Sequence, residues 1–336
     1  MNPADPDRTA WPDDGAPGRR PGLAVPVLIA VLVSTGGAVQ ARINGELGLR
    51  LRDGIVAALI SSTGGALILL GSVLTRPAGR RALARLRAAL GTTKAGGGLR
   101  WWHCSGGVAG ALFVAGQGIT VGTLGVAVFT VAVVAGTSVG SLLMDWWGLG
   151  PSGRHPVTPA RITGAVLCVG AVALAGHDRT GTPTALILVL LPALAGIGIA
   201  WQIAVNGKVS AVAGTPLATL VNFLGAVLTL SAAVLVELLV RGRPTGQLPA
   251  QPWLYLGGVV GISLVAVAAA VVRRTGVLVF GLASVAGQLL GAGVLDLVLP
   301  AATGRPGLAT WSAIGLTVVA MAVGTRPARR VGTTVG

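Results

Sequence analysis

Long apolar runs alternate with short polar stretches along the whole chain. Each run is close to the roughly 20 residues that an α-helix needs to cross the hydrocarbon core of a bilayer. The pattern therefore predicts an all-α integral membrane protein with ten transmembrane helices. The predicted spans are 22–41, 55–74, 101–120, 125–147, 159–176, 185–205, 216–240, 252–272, 276–299 and 308–324.

The composition excludes a water-soluble fold. Of the 336 residues, 53% are hydrophobic and only 10% are charged, and the mean hydropathy is +0.80. A soluble domain carries charge on about a quarter of its residues, because its surface faces water. Helices that are apolar on every side need lipid as their solvent.

Catalytic and cofactor chemistry finds no support in the sequence. The histidines are His103 at a span edge and His155 and His177 in loops, so they form no metal-binding pattern. Cys104 and Cys168 fall in different spans without metal-ligand spacing. A Walker A motif is also missing from the sequence. We therefore expect neither an enzyme nor a metal or other cofactor.

The net charge of +15 reflects orientation in the membrane rather than nucleic-acid binding, for which no motif is present. If the N-terminus lies inside, cytoplasmic segments hold 18 of the 25 Lys and Arg residues and outer segments hold 7. Cytoplasmic loops are enriched in Lys and Arg. Both termini are therefore predicted to be cytoplasmic, in the inner membrane of a bacterium.

The longest connection, 75–100, carries seven of these basic residues. Within it, Leu83, Leu86 and Leu90 recur at helical spacing with arginines between them. This pattern is typical of a basic amphipathic helix on an anionic membrane face. The segment is therefore predicted to lie on the cytoplasmic surface of the bilayer.

An internal repeat divides the chain into two halves. Residues 102–145 align without a gap to 253–296, with about two in five positions identical. Upstream, the sequence QARING that begins at Gln40 matches QIAVNG that begins at Gln202. Such similarity over two spans indicates a duplication rather than shared composition.

Each half contains five predicted spans, and an odd number forces the two halves to insert in opposite orientations. The predicted units are a disordered tail at 1–21, a first repeat at 22–176, a second repeat at 185–324 and a C-terminal tail at 325–336. Inverted repeats let a transporter expose a central site to each side in turn, which is alternating access. The arrangement therefore favours a transporter.

Three motifs resemble a known family. They are Asn44-Gly45 after the first span, the WxxxGGxxG sequence that starts at Trp102, and the fourth-span pattern of each half. In the second half this last pattern is VAGQLLGAGVLD, ending at Asp296, and in the first half Thr137 replaces its glutamine. These segments resemble the drug/metabolite transporter (DMT) superfamily, and within it the YdcZ-type, EamA-like inner-membrane exporters.

The resemblance covers nearly the whole chain outside the N-terminal tail. It implies a ten-helix bundle that exports or facilitates the passage of small metabolites, and it names no substrate. Many members resemble single five-helix units that must pair, whereas this chain resembles a fused tandem of two such units.

Polar side chains within the spans are the candidates for substrate binding, because an unpaired polar group in hydrocarbon is costly. Gln288 is the most polar side chain near the middle of a span, and Thr137 is its equivalent in the first half. An amide at that depth binds either a neighbouring helix or a substrate. The candidate residues are Thr137, Ser138, Ser284, Gln288, Asn222, Gln40 and Gln202.

Two acids occupy equivalent positions, Asp145 and Asp296, near the ends of the fourth and ninth spans. A carboxylate at a helix end is partly hydrated, so it can remain charged there. The sequence leaves two roles open for this pair, a structural or gating role through loop arginines and direct coupling of protons to transport.

Glycines at GxxxG spacing recur in both halves. Such spacing lets helices approach closely, and the same smooth faces would slide during alternating access. The residues are Gly106 and Gly110, Gly136 and Gly140, Gly257 and Gly261, and Gly287 and Gly291.

The sequence therefore predicts a secondary transporter that exports small metabolites or drugs across the cytoplasmic membrane. Its expected partners are a small-molecule substrate and the lipid bilayer, without nucleic acid. A flippase for lipids or lipid-linked sugars is an alternative, and a non-transporting membrane scaffold or sensor is an alternative of another class. The substrate, the coupling ion and the oligomeric state, including a homodimer, stay open.

The charge distribution generates a prediction about orientation. In a variant lacking Cys104 and Cys168, a cysteine at Arg87 or at the C-terminus should react with a membrane-impermeant thiol reagent only from the cytoplasmic side. Labelling of intact cells and of inverted vesicles measures this. Reaction of either cysteine in intact cells would contradict the predicted orientation.

Overall fold

A computed structural model describes residues 24–91, 99–149, 157–177, 183–242, 246–263, 277–300 and 304–324. Their regular structure consists of helices, with short 3-10 turns at Trp101–Cys104 and Pro252–Tyr255. The helices are α1 (Ala24–Leu51), α2 (Gly54–Thr75), α3 (Pro77–Gly91), α4 (Gly106–Leu124), α5 (Val126–Trp147), α6 (Pro159–His177), α7 (Pro183–Ala213), α8 (Thr215–Arg241), α9 (257–263), α10 (Val277–Val298) and α11 (Leu308–Gly324).

The prediction of an all-α membrane protein is confirmed, and each predicted span overlaps one of these helices. Among the described residues, five helical stretches are long and apolar enough to cross a membrane, and three others are shorter but apolar. The eighth predicted span is described only as far as residue 263. The number of ten spans therefore stays a prediction.

Two helices extend well beyond their predicted ends. The first span was predicted to end at residue 41, but α1 continues to Leu51, and the equivalent α7 continues to Ala213. Asn44 thus lies inside a continuous helix, as does Asn206 in the second half. Neither Asn-Gly pair breaks its helix, because packing of the surrounding apolar residues outweighs the weak local preference of Asn and Gly against helix.

The helices pair across the two halves in a repeated manner. Helix α5 of the first half packs along α7 of the second, and the equivalent helices α10 and α1 pack along each other in the same way. The equivalent helices α6 and α11 face one another, as do α2 and α8. An exchange of this kind is what a two-fold relation between the halves produces, and the direction of its axis relative to the membrane stays a prediction.

Glycine makes these cross-half contacts close. A Cβ atom at Gly136 would clash with the backbone carbonyl of Ala193 on α7, and one at Gly287 would clash with the carbonyl of Val31 on α1. These two contacts are equivalent in the repeat. All eight glycines of the four GxxxG pairs lie against residues of the opposite half. Several of the closest backbone contacts in the bundle therefore join one half to the other.

Helix α3 coincides with the predicted basic helix. Its Leu86 is buried in a cluster of apolar side chains that includes Leu69 of α2 and Val209 of α7. Leu90 is exposed, and so are the arginines at 76, 80, 81, 85 and 87. Part of the apolar side is thus covered by protein rather than by lipid, while contact of the arginines with anionic lipid stays a prediction.

The glycine contacts generate a prediction about stability. Gly136→Ala should lower the free energy of unfolding by about 1–3 kcal/mol, because the added methyl group forces α5 away from α7. Gly170→Ala is the matched control, since a Cβ at this glycine of α6 meets nothing within 4 Å. Alanine should stabilise that helix by about 0.5–1 kcal/mol. Denaturation of the purified variants in detergent compares the two, and equal effects would contradict the close approach of α5 and α7.

Candidate functional site

A cavity of about 490 Å³ lies between the two halves. Its volume falls within the range of roughly 300–1,000 Å³ that is usual for small-molecule sites. We call it the central cavity. It is lined by Val33, Ser34, Gly37, Gln40, Ala41, Ser62, Gly110, Phe113, Val114, Gln117, Phe129, Thr130, Val133, Ile199, Gln202, Ile203, Asn222, Phe223, Ala226, Gly261, Ser284 and Gln288.

Five of the seven residues predicted to bind substrate line the central cavity, namely Gln40, Gln202, Asn222, Ser284 and Gln288. The first two occupy equivalent positions on α1 and α7. The helix pairing described above brings these side chains together from helices that are far apart in sequence. The chain thus places amides and hydroxyls from both halves around one space.

The remaining two predicted residues, Thr137 and Ser138, line a neighbouring cavity of about 410 Å³. We call it the second cavity. The hydroxyl of Thr137 donates to the carbonyl oxygen of Gly196 at 3.1 Å, and that of Ser138 donates to the carbonyl of Val134 at 2.8 Å. Both hydroxyls therefore have protein partners. Ser284 and Gln288 line both cavities and are the polar part of the wall between them, which also includes Phe113, Val133, Ile199 and Ile203.

Pairs of amides border the central cavity. The Asn44 Nδ2 donates to Gln117 Oε1 at 2.7 Å, which joins α1 to α4. The Asn206 Nδ2 donates to Asn222 Oδ1 at 3.0 Å, which joins α7 to α8. These bonds hold the Gln117 and Asn222 side chains in fixed orientations at the cavity wall.

Gln117 is a cavity residue that the sequence reasoning missed. Its equivalent in the second half is Ala268, so the comparison of the two repeats gives no reason to select it. The remaining signal was its polarity in the middle of an apolar run, between Gly116 and Gly118. Gln117 is buried, and its partner Asn44 is buried too.

A short chain of hydrogen bonds crosses from one half to the other at the wall. The hydroxyl of Ser34 on α1 donates to Ser284 Oγ on α10 at 2.9 Å. The Nε2 of Gln288, one turn further along α10, donates to the same oxygen at 3.2 Å. Ser34 was not among the predicted residues.

Two of the glycines leave room for amide side chains at the cavity. A Cβ at Gly110 would lie 3.2 Å from Gln202 Oε1 and 3.2 Å from Asn222 Nδ2. At the equivalent Gly261 a Cβ would lie 2.8 Å from Gln40 Nε2. Glycine at these positions therefore serves the amides of the site as well as helix packing.

The two equivalent acids lie in different surroundings, and neither lines the central cavity. Asp296 is fully buried, and its carboxylate accepts hydrogen bonds from the backbone N–H of Val126 at 2.9 Å and of Ala127 at 2.8 Å. These groups begin α5 in the other half. The positive end of the helix dipole stabilises a carboxylate at this point. Asp296 thus ties α10 to the start of α5.

Asp145 is partly exposed and forms an ion pair with the guanidinium of Arg161 on α6. The sequence predicted loop arginines as partners, whereas Arg161 lies on α6 and lines the second cavity. The pair therefore lies beside the space that adjoins the central cavity. Within the described part of the chain, no three His, Cys, Asp or Glu residues are grouped as a metal site.

Comparison with known proteins agrees with this architecture. A family model described as "Putative inner membrane exporter, YdcZ" matches residues 25–174 and again residues 187–325. A solved structure described only as "Crystal structure of protein" has a TM-score of 0.53 and 20% identity, and the alignment covers 93% of this chain and 100% of that one. At that identity the likeness shows the fold alone. A search of the curated proteins found no match.

The different surroundings of the two acids generate a prediction. Asp296→Ala should destabilise the protein by about 2 kcal/mol or more, because it leaves two buried N–H groups without acceptors. Asp145→Ala should lower the free energy of unfolding by at most about 1 kcal/mol, because partly exposed ion pairs contribute little to stability. Thermal unfolding in detergent measures both. A larger loss for Asp145→Ala than for Asp296→Ala would contradict the roles described.

Proposed function

The chain belongs to the inner-membrane exporter family whose model it matches twice, and from this premise we propose that it exports a small molecule through the central cavity by alternating access. The family matches make it a multi-pass membrane transporter of two units in tandem, rather than an enzyme. The site and the mechanism are our proposal. The observation that carries it is a central cavity lined by equivalent residues of both halves, Gln40 and Gln202 among them.

The position of the central cavity supports alternating access. Inverted-repeat carriers hold their substrate between the repeats, because a site there can be opened to either side when the halves exchange conformations. The central cavity is bounded by α1, α4, α7, α8 and α10, which belong to both halves. Opposite orientation of the two halves, with both termini in the cytoplasm, completes the proposal.

In this mechanism substrate contacts Gln288 as it passes from the second cavity into the central cavity. Gln288 lies between the two cavities, and its amide can both donate and accept hydrogen bonds. Asn222, Gln40, Gln202 and Ser284 complete the polar lining, with Thr137 and Ser138 on the approach. A substrate that passes from one cavity to the other exchanges bonds with these groups in sequence.

The two acids take different parts. The ion pair of Asp145 with Arg161 lies beside the second cavity and is partly hydrated, so it can break and re-form at low cost. We assign it to gating. Asp296 is a structural tie, since release of its carboxylate would leave the N–H groups of Val126 and Ala127 unpaired.

Metabolite profiling tests this function. A strain that lacks the protein is complemented with the wild type, with Gln288→Leu or with Gln251→Leu, and the extracellular solutes are compared. Gln251 is exposed and its side chain caps no helix, so it is the matched control. We expect the wild type and the control to export the same solutes, and Gln288→Leu to lose at least tenfold of that export at equal membrane abundance.

Other outcomes contradict parts of the proposal. Normal export by Gln288→Leu would indicate that the substrate binds nearer to Asn222 than to Gln288. Failure of this variant to accumulate in the membrane would indicate that the Gln288 amide has a structural role and holds helices together. A change in membrane lipids without a change in any solute would favour the flippase alternative, and no change in either would favour a scaffold or sensor.

A further inference from the structure

The described lining of the central cavity contains polar groups but no charged side chain. It consists of the amides of Gln40, Gln117, Gln202, Gln288 and Asn222, the hydroxyls of Ser34, Ser62, Thr130 and Ser284, and apolar residues. None of these side chains ionises at physiological pH. Residues 277–283 of α10, whose side chains are not described, are apolar in sequence, and so are residues 264–272, whereas Arg273 and Arg274 follow them outside the described residues.

The charged groups of the bundle are held elsewhere. Asp296 faces the start of α5, and the guanidinium of Arg161 is paired with Asp145 at the second cavity. The chain has only ten acidic residues in all, and none of those within the described residues lines the central cavity. An ion inside that cavity would therefore have no opposite charge beside it.

An ion without a countercharge is costly in such a place. Moving a charged group from water into surroundings of low polarity carries a large desolvation penalty, which hydrogen bonds from neutral amides offset only in part. A net-neutral solute avoids this penalty, and it still gains the hydrogen bonds. The lining therefore selects against both cations and anions.

The polar groups also indicate what the solute carries. The Oε1 of Gln202 is buried and has no hydrogen-bond partner among the described residues. A buried acceptor without a donor costs roughly 1–3 kcal/mol, and a solute N–H or O–H at this amide would remove that cost. The solute is thus expected to bring at least one donor to Gln202.

Apolar and aromatic side chains also line the cavity. The rings of Phe113 and Phe129 lie 5.7 Å apart between centroids, and Phe223 also lines the space. Offset aromatic rings favour contact with another ring or with a flat apolar group. A solute that fills the cavity is therefore expected to carry an apolar group as well as hydrogen-bonding groups.

We propose that the central cavity binds net-neutral amphipathic solutes, with amide or hydroxyl donors at Gln202 and an apolar group against Phe113 and Phe129, and that it excludes ions. This inference rests on the proposed function, since it specifies the substrate class of the same site. Because no described lining residue titrates between about pH 5 and pH 8, binding of a neutral solute is independent of pH in this range.

Three phenylalanine derivatives of different charge test the charge rule. At about pH 6, N-acetylphenylalaninamide is neutral, N-acetylphenylalanine is an anion and phenylalaninamide is a cation. Their binding to the purified full-length protein in detergent is measured by calorimetry. We expect the neutral probe to bind at least tenfold more tightly than either ion, and Gln202→Leu to weaken it about tenfold.

A variant that introduces a negative charge provides a test by gain of binding. Gln202→Glu places one carboxylate in the cavity, so it should bind phenylalaninamide at least tenfold more tightly than the wild type does. Gln251→Glu adds the same charge at an exposed position and should leave all three affinities unchanged. Gain of cation binding in the first variant alone supports the proposal.

The outcomes distinguish this inference from the proposed function. If an ion binds the wild type as tightly as the neutral probe, and Gln202→Leu or Gln288→Leu weakens it, the charge rule is overturned while the cavity stands as the site. If binding of the neutral probe responds to neither variant, the cavity is not the site and both proposals fail. Absence of binding by all three probes would overturn the proposed solute class.

Discussion

Close backbone contact between helices of opposite halves is the constraint on which this structure depends. Gly136 lets α5 lie directly against the backbone of α7, and Gly287 does the same for α10 and α1. In a membrane, helices gain little from burying apolar surface away from lipid, so association relies on close packing and hydrogen bonds. The two halves are consequently one interlocked body rather than two separate bundles.

This interlocking determines where polar side chains can be placed. The glycine contacts hold α5 against α7 and α10 against α1. The central cavity lies between these two helix pairs, and amides of α1, α4, α7 and α8 line it. Two pairs of amides are hydrogen-bonded across helices, Asn44 with Gln117 and Asn206 with Asn222. The site is therefore held in shape before a solute enters, which lowers the entropy cost of binding.

The helices were predictable from the sequence because each apolar run is long and sharply bounded, as at 54–75 for α2. The extension of α1 beyond Asn44 was not, since tertiary packing outweighs a local Asn-Gly signal. Within the site, Gln40 and Gln202 could be predicted because they occupy equivalent positions in the two repeats. Gln117 could not, because the equivalent position in the second half is an alanine. The partner of Asp296 lies 170 residues away in sequence, and no local pattern encodes a contact of that kind.

The central claim is that equivalent contacts are made by two halves of opposite orientation, and paired labelling tests it most directly. Arg52 follows α1 and Thr215 begins α8 at the equivalent junction of the second half, and both are exposed. In a variant lacking Cys104 and Cys168, single cysteines at these two positions are treated with an impermeant thiol reagent on intact cells. If the halves have opposite orientations, the cysteine at Arg52 reacts from outside and the one at Thr215 reacts only in inverted vesicles. Reaction of both from the same side would contradict this claim.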